Sequence, residues 1–184
     1  MAKQRTTAQP QAIELTTGSP DETQAVGEQL GRRLQPGDVA ALFGELGSGK
    51  TTLIQGIARG LGLGPEAIKS PTFVLVREYP LPNGGTLVHI DGYRLAGAPA
   101  AAWLDLDLLL SPRTITLIEW AERFAGLLPQ DHLELRLDHV STNRRRLTLL
   151  PRGARAEAVA ADLRPAPDAG AAAPAEADDA APRA

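Results

Sequence analysis

The chain has 184 residues, 43% of them hydrophobic, and a net charge of −3. That leaves room for one domain with a sizeable core and excludes the bulk polycation of a general nucleic-acid binder. It has no cysteine, which rules out disulfides, thiol nucleophiles and cysteine metal sites. No apolar run approaches the ~20 residues that span a bilayer, and residues 1–10 lack the apolar core of a signal peptide, so the expectation is a cytoplasmic protein without membrane association.

Residues 1–10 are polar and read as a flexible end. Ile13 and Leu15 alternate with polar residues in the stretch 11–17, a strand pattern. Ser19-Pro20-Asp21-Glu22 is a helix start: serine caps, proline takes the first helical position and Glu22 completes a capping box. Ala25, Val26, Leu30 and Leu34 then share one face, and Pro36-Gly37 stops the helix. These two elements read as scaffold.

Gly37-Asp38 turns into the apolar run Val39 to Phe43, a buried strand. Gly44-Glu45-Leu46-Gly47-Ser48-Gly49-Lys50-Thr51 follows and fits G-x-x-x-x-G-K-[ST], the phosphate-binding loop. Thr52 to Leu61 continues with Leu53, Ile54, Ile57, Ala58 and Leu61 at helical spacing. Strand, glycine loop and helix thus come in the order this motif needs. Gly44, Gly47 and Gly49 can turn amide N–H groups inward as an anion nest, and the helix N-terminus adds the positive end of its dipole. Lys50 would reach the β- and γ-phosphates of a nucleotide and the Thr51 hydroxyl would ligate Mg²⁺. The binding residues expected here are 44–52, including Thr52. Thr16 to Ser19, near the sheet edge, could touch the base.

After a turn over 60–65, Val74, Val76 and Tyr79 favour a strand. Pro82-Asn83-Gly84-Gly85 is a turn cluster, and a strand resumes over Thr86 to Ile90. The two make a β-hairpin, so the sheet is mixed. Ser70 and Thr72 stand just before it. Thr72 is either a switch residue sensing Mg²⁺ and the γ-phosphate or simply part of a strand entry, and the residues do not choose between these. Asp91 ends one apolar strand and Glu119 ends another, Thr114 to Ile118, with Trp120 next. Two strand-end carboxylates beside a phosphate loop form a coherent Mg²⁺–nucleotide constellation. His89 has no second histidine or cysteine near it, so packing or hydrogen bonding is expected of it rather than metal binding.

A leucine-rich helix is expected over Pro99 to Leu110 and a short one over Ala121 to Leu128. Residues 132–140 alternate as a half-buried strand, Asn143 turns, and 145–150 returns as its antiparallel mate. Arg144-Arg145-Arg146 is a local basic spot, either a solvated hairpin or a place of RNA contact. Residues 154–163 read as one marginal helix, and from Pro165 the alanine-, proline- and acid-rich chain reads as disordered. The expected organisation is a flexible 1–10, a domain over 11–153 and a tail over 154–184. The expected fold is an α/β, P-loop NTPase-like three-layer sandwich with a mixed, largely parallel sheet and a C-terminal β-hairpin.

The segments Gly-Glu-Leu-Gly-Ser-Gly-Lys-Thr-Thr (44–52), Ser-Pro-Thr-Phe (70–73), His-Ile-Asp-x-Tyr-Arg-Leu (89–95) and Ile-Glu-Trp (118–120) resemble the TsaE family, formerly YjeE, over about residues 11–153. The family implies a small P-loop ATPase needed for threonylcarbamoyladenosine on tRNA. Its partners would be TsaD and TsaB, with tRNA reached indirectly through that complex. The resemblance implies ATP and Mg²⁺ as cofactors, Lys50 on the phosphates, and Thr51 and Glu119 on Mg²⁺. It makes Asp91 necessary for hydrolysis and places Thr72 in a switch-like segment. Gly92 stands where the family usually has a larger apolar residue, which implies a looser loop after Asp91. Two other readings are a small-molecule P-loop kinase and a nucleotide-gated binding module without useful turnover. A kinase needs an acceptor pocket and an arginine-bearing lid, which the short helix and hairpin after Glu119 do not offer.

Overall fold

The apolar run Val39–Phe43 forms β2, buried along nearly all its length, and the rest of the sheet is laid out around it. A computed structural model describes residues 12–64, 68–95, 105, 110–161 and 163. Among these, the strands are β1 (Ile13–Thr17), β2, β3 (Val76–Pro80), β4 (Thr86–Asp91), β5 (Thr114–Glu119), β6 (His132–His139) and β7 (Arg145–Arg152). They form one mixed seven-stranded sheet in the order β1-β7-β6-β2-β5-β4-β3. β6, β2, β5 and β4 are mutually parallel, while β3, β7 and β1 pair antiparallel at the flanks. The two hairpins, β3–β4 and β6–β7, are those read from the sequence.

Because β2, β4 and β5 run the same way, their carboxyl ends lie along one edge of the sheet. That edge is where parallel α/β sheets leave a crevice for ligands. Side chains alternate across each strand. Ala40, Leu42, Leu87, Ile115 and Leu117 pack with the helices on one face. Val39, Ala41, Val88, Ile90 and Ile118 pack on the other face with Leu95, Ala121 and Phe124.

Helix α1 (Pro20–Gly31) begins as expected, with the Glu22 amide donating to Ser19 Oγ at 3.1 Å. The Glu22 carboxylate closes the box on the Gly18 amide, one residue before the cap, at 2.6 Å. Helix α2 (Lys50–Gly60) follows the glycine loop and lies against α1 through glycines on both sides. A Cβ on Gly27 or Gly31 would strike the carbonyl oxygens of Leu53 and Ile57, and one on Gly56 or Gly60 those of Gln24 and Glu28. The two backbones therefore touch where side chains would normally separate them.

Helix α3 (Ala154–Ala160) docks on β6 and β7 and buries Ala156, Val159 and Ala160. Asp131 caps it, accepting from the amides of Arg155 and Ala156 at 3.1 and 3.0 Å. The Arg155 guanidinium grips Asp38 at 2.9 and 2.7 Å. This helix is part of the core, although its sequence reads as marginal. Two local expectations shift. Val74 sits in a turn, and β3 starts at Val76. Of the helix expected over Ala121 to Leu128, only Ala121–Phe124 is helical, as a 3-10 turn. Most of the helix expected over 99–110, and all of residues 1–11 and 164–184 discussed above, lie outside the described residues. No described helix is long and apolar enough to cross a membrane.

Candidate functional site

The glycine loop leaves β2 at Gly44 and enters α2 through Gly49, whose φ of 104° places it in the left-handed region. Ser48 is fully buried, and its hydroxyl has no hydrogen-bond partner among the described residues. Glu45 and Leu46 are exposed, Leu46 strongly so at 73%. Lys50 is buried; its ammonium donates to the carbonyls of Gly44 at 2.7 Å and Glu45 at 2.9 Å and lies 3.9 Å from the centre of the Trp120 ring. Burial lowers its pKa, and the nearby charges of Glu119, Glu122 and Asp91 oppose that shift.

Thr51, the second residue of α2, donates its hydroxyl to the Glu119 carboxylate, 2.9 and 3.0 Å from its two oxygens. This joins the loop to the end of β5 across 68 positions of sequence. Glu119 is buried, and His89 Nε2 lies 3.0 Å from its Oε1. Asp91 is the register partner of Glu119 on the neighbouring strand. Its Oδ2 accepts from Ser70 Oγ at 2.8 Å and Thr72 Oγ1 at 2.6 Å, and its Oδ1 from the Tyr93 amide at 2.9 Å. Thr72 therefore contacts the strand-end carboxylate, an arrangement the strand-entry reading does not require.

Among the described residues, the non-glycine positions with positive φ are Leu75 (66°) and Trp120 (57°). Both flank the site. The Leu75 carbonyl accepts from the Asp91 amide at 2.9 Å, and the Trp120 ring packs on Tyr93 with centroids 5.1 Å apart. Such backbone costs about 1–3 kcal/mol per residue and persists where surrounding contacts enforce it. The looser loop implied at Gly92 is not found. Its amide donates to the Glu119 carbonyl at 2.9 Å, and an added Cβ would lie 2.7 Å from the Phe124 ring and 3.1 Å from the Trp120 carbonyl. Phe124 occupies the space that a side chain at 92 would need.

Lys50, Thr51, Asp91, Glu119 and Trp120 line a cleft of about 310 Å³ that includes Gly47, Thr52, Ser70, Thr72 and Tyr93. A smaller cavity of about 100 Å³ on the α1 side of the loop is lined by Ser19, Thr23, Gly47, Thr142 and Arg145. Of the stretch 16–19, only Ser19 borders it; Thr17 is buried and bonded to Thr23 at 2.8 Å. A third cavity of about 320 Å³ lies at the opposite sheet end, where Asp38 and Arg155 already pair with each other. We assign it no chemistry.

Sequence reasoning did not assign Arg145 to the loop. Its Nε donates to the Ser48 carbonyl at 3.1 Å, and its Nη1 to the carbonyls of Ser141, Thr142 and Arg144. The middle of the basic triplet thus pins the glycine loop to the β6–β7 turn. No local signal separates it from its neighbours Arg144 and Arg146. Tyr93 was legible only as part of the Asp91 segment.

The donor set is oxygen-rich: one hydroxyl and one carboxylate meet at the mouth of the loop, beside a lysine ammonium and the amides of a helix start. Among the described residues, no cluster of three or more His, Asp or Glu side chains could by itself enclose a metal. Two oxygen ligands suit Mg²⁺, which keeps waters and takes its remaining ligands from phosphates.

A family model described as threonylcarbamoyl adenosine biosynthesis protein TsaE matches residues 17–147. The chain is 46% identical over 115 residues to the tRNA threonylcarbamoyladenosine biosynthesis protein TsaE of Streptomyces coelicolor, covering 61% of this chain and 76% of that one. It is 35% identical over 149 residues to the Bacillus subtilis protein of the same name, covering 80% and 90%. The crystal structure of Bacillus subtilis YdiB superposes with a TM-score of 0.69 at 31% identity, over 83% of this chain and 94% of that one.

Proposed function

The chain belongs to the TsaE family of threonylcarbamoyl adenosine biosynthesis proteins, and from that premise we propose that it binds and hydrolyses ATP with Mg²⁺ in support of tRNA modification. The observation that carries this is the contact of Thr51 with Glu119 beside Lys50. It brings the hydroxyl, carboxylate and ammonium that a Mg²⁺–polyphosphate needs to one point. Lys50 exchanges its two loop carbonyls for the β- and γ-phosphates, and the loop amides and α2 start receive the rest of the phosphate charge. Thr51 and Glu119 hold the cation, directly or through its waters. Bound there, Mg²⁺ supplies charge neutralisation between the phosphates. Asp91, held by Ser70 and Thr72, orients the attacking water. The smaller cavity beside Ser19 and Arg145 takes the ribose and base.

The partners in this reading are TsaD and TsaB in the cytoplasm, with tRNA engaged through them. The test is ATP turnover by the chain alone and mixed with TsaD and TsaB, together with nucleoside analysis of tRNA after depletion. Turnover in the mixture and loss of threonylcarbamoyladenosine on depletion are expected. A chain that binds no nucleotide, or whose depletion leaves the modified nucleoside unchanged, would refute it.

One observation favours the nucleotide-gated module. Asp91 already accepts three hydrogen bonds, two of them from one short segment. That suits a latch that reports bound nucleotide as well as a base. Turnover measured in the complex separates the two.

A further inference from the structure

We propose that His89 is a positioning residue for Glu119, donating from Nε2–H so that the carboxylate stays aimed at Thr51, and that it thereby sets the affinity for nucleotide with a divalent cation. The inference rests on the nucleotide reading above. His89 pairs in register with Leu117, and Asp91 with Glu119. His89 and Glu119 are therefore diagonal neighbours on one sheet face, a separation that long side chains bridge. The ring is fully buried, its Nε2 is 3.0 Å from Glu119 Oε1, and the Glu119 side chain is only 4% exposed.

A carboxylate this buried is costly unless hydrogen-bonded. Among the described residues, Thr51 and His89 supply its side-chain donors, one proton each. A carboxylate has about four acceptor positions, so two donors leave lone pairs to face the cleft. The ring's other nitrogen, Nδ1, is buried without a hydrogen-bond partner among the described residues. Nε2 is the nitrogen that faces the carboxylate, and only a proton on it makes this contact a hydrogen bond. His89 does not line the cleft, so it acts on ligand only through Glu119. Partners that orient a metal-binding side chain are commonly worth 10–100-fold in metal affinity.

The test uses the full chain and the β,γ-imido analogue of ATP, titrated calorimetrically with Mg²⁺ and with EDTA. His89→Leu should reduce the Mg²⁺ enhancement of affinity about 10–100-fold while leaving EDTA affinity unchanged. His89→Gln, whose amide nitrogen falls near the position of Nε2, should restore most of it. On a Glu119→Ala background, His89→Leu should cost nothing further. Full enhancement in His89→Leu, or equal losses with and without Mg²⁺, would overturn the proposal. Should the leucine variant not fold, nitrogen-15 spectra of labelled histidine in the wild-type protein decide: protonation at Nε2 is expected, and a ring protonated at Nδ1 alone overturns it. A wild-type chain whose nucleotide affinity ignores Mg²⁺ would instead sink the Mg²⁺ part of the proposed function, and one that binds no nucleotide the whole of it.

Discussion

Thr72 donates its hydroxyl proton to Asp91 across 2.6 Å, tying the segment after Pro71 to the last residue of β4. Ser70 adds a second bond to the same oxygen at 2.8 Å. The Ser-Pro-Thr segment and the Asp91 strand end are thus one unit. On the proposed function, Asp91→Ala should retain nucleotide binding, because Lys50, Thr51 and Glu119 remain, but lose about 10²–10⁴-fold of the turnover expected in a mixture with TsaD and TsaB. Thr72→Val removes one hydrogen bond to a charged acceptor and should lower the same rate about tenfold to a hundredfold. Single-turnover hydrolysis alongside calorimetry checks both, and normal turnover in Asp91→Ala would remove it from the mechanism.

Lys50→Ala should abolish measurable affinity for Mg²⁺–ATP if, as proposed, its ammonium serves the phosphates. Folding should not suffer. Burial is the largest influence on Lys50 and disfavours its charged form, so the protonated side chain costs stability in the folded state. That cost is full below the depressed folded-state pKa and fades as pH rises towards the ordinary lysine range. At neutral pH the variant should melt no lower than the parent in the absence of nucleotide. Unchanged ATP binding in a folded Lys50→Ala protein is the outcome that rejects the assignment.

Gly56→Ala tests the contact between α1 and α2. Alanine gains about 1 kcal/mol over glycine in an exposed helix interior. Here its Cβ would meet the backbone carbonyl of Gln24 inside contact distance, and backbone cannot rotate away as a side chain can. Overpacking of this kind costs about 1–3 kcal/mol or more, so the clash wins and denaturant melts should show a net loss near 2 kcal/mol. Because α2 carries Lys50 and Thr51, nucleotide affinity should fall as well. A variant as stable as the parent would mean that the helices can separate freely.

Two truncations should behave differently. Removing residues 165–184, which lack large apolar side chains, should leave melting temperature and nucleotide binding nearly unchanged. Removing residues 154–184 also deletes Val159 and Leu163, both buried, and leaves Asp38 without Arg155. Burial of such side chains is worth about 1.5–3 kcal/mol each, and a buried carboxylate without its partner adds to the loss. A large drop in melting temperature is expected for the second truncation only, and equal effects would show that α3 contributes nothing.

The sequence by itself determined the parts that obey short-range rules. The 44–51 motif, its strand and helix, the Ser19 cap and both hairpins follow from residue spacing and turn chemistry, because the groups that interact lie within a few positions of one another. Glu119 and Asp91 were legible as acids at strand ends, but their meeting beside Thr51 depends on β5 lying between β2 and β4, and strand order is a property of the whole sheet. The same holds for His89, whose role appears only when β4 and β5 are in register, and for Arg145, one of three adjacent arginines until the β6–β7 turn folds over Ser48. Gly92 read as slack because the residue that fills its place, Phe124, is remote in sequence. Residues 154–163 read as marginal because so short a helix has little stability of its own; Asp131, Asp38 and the apolar faces of β6 and β7 support the seven residues that are helical. Tertiary structure decided these points, since each depends on long-range burial and pairing that no local pattern encodes.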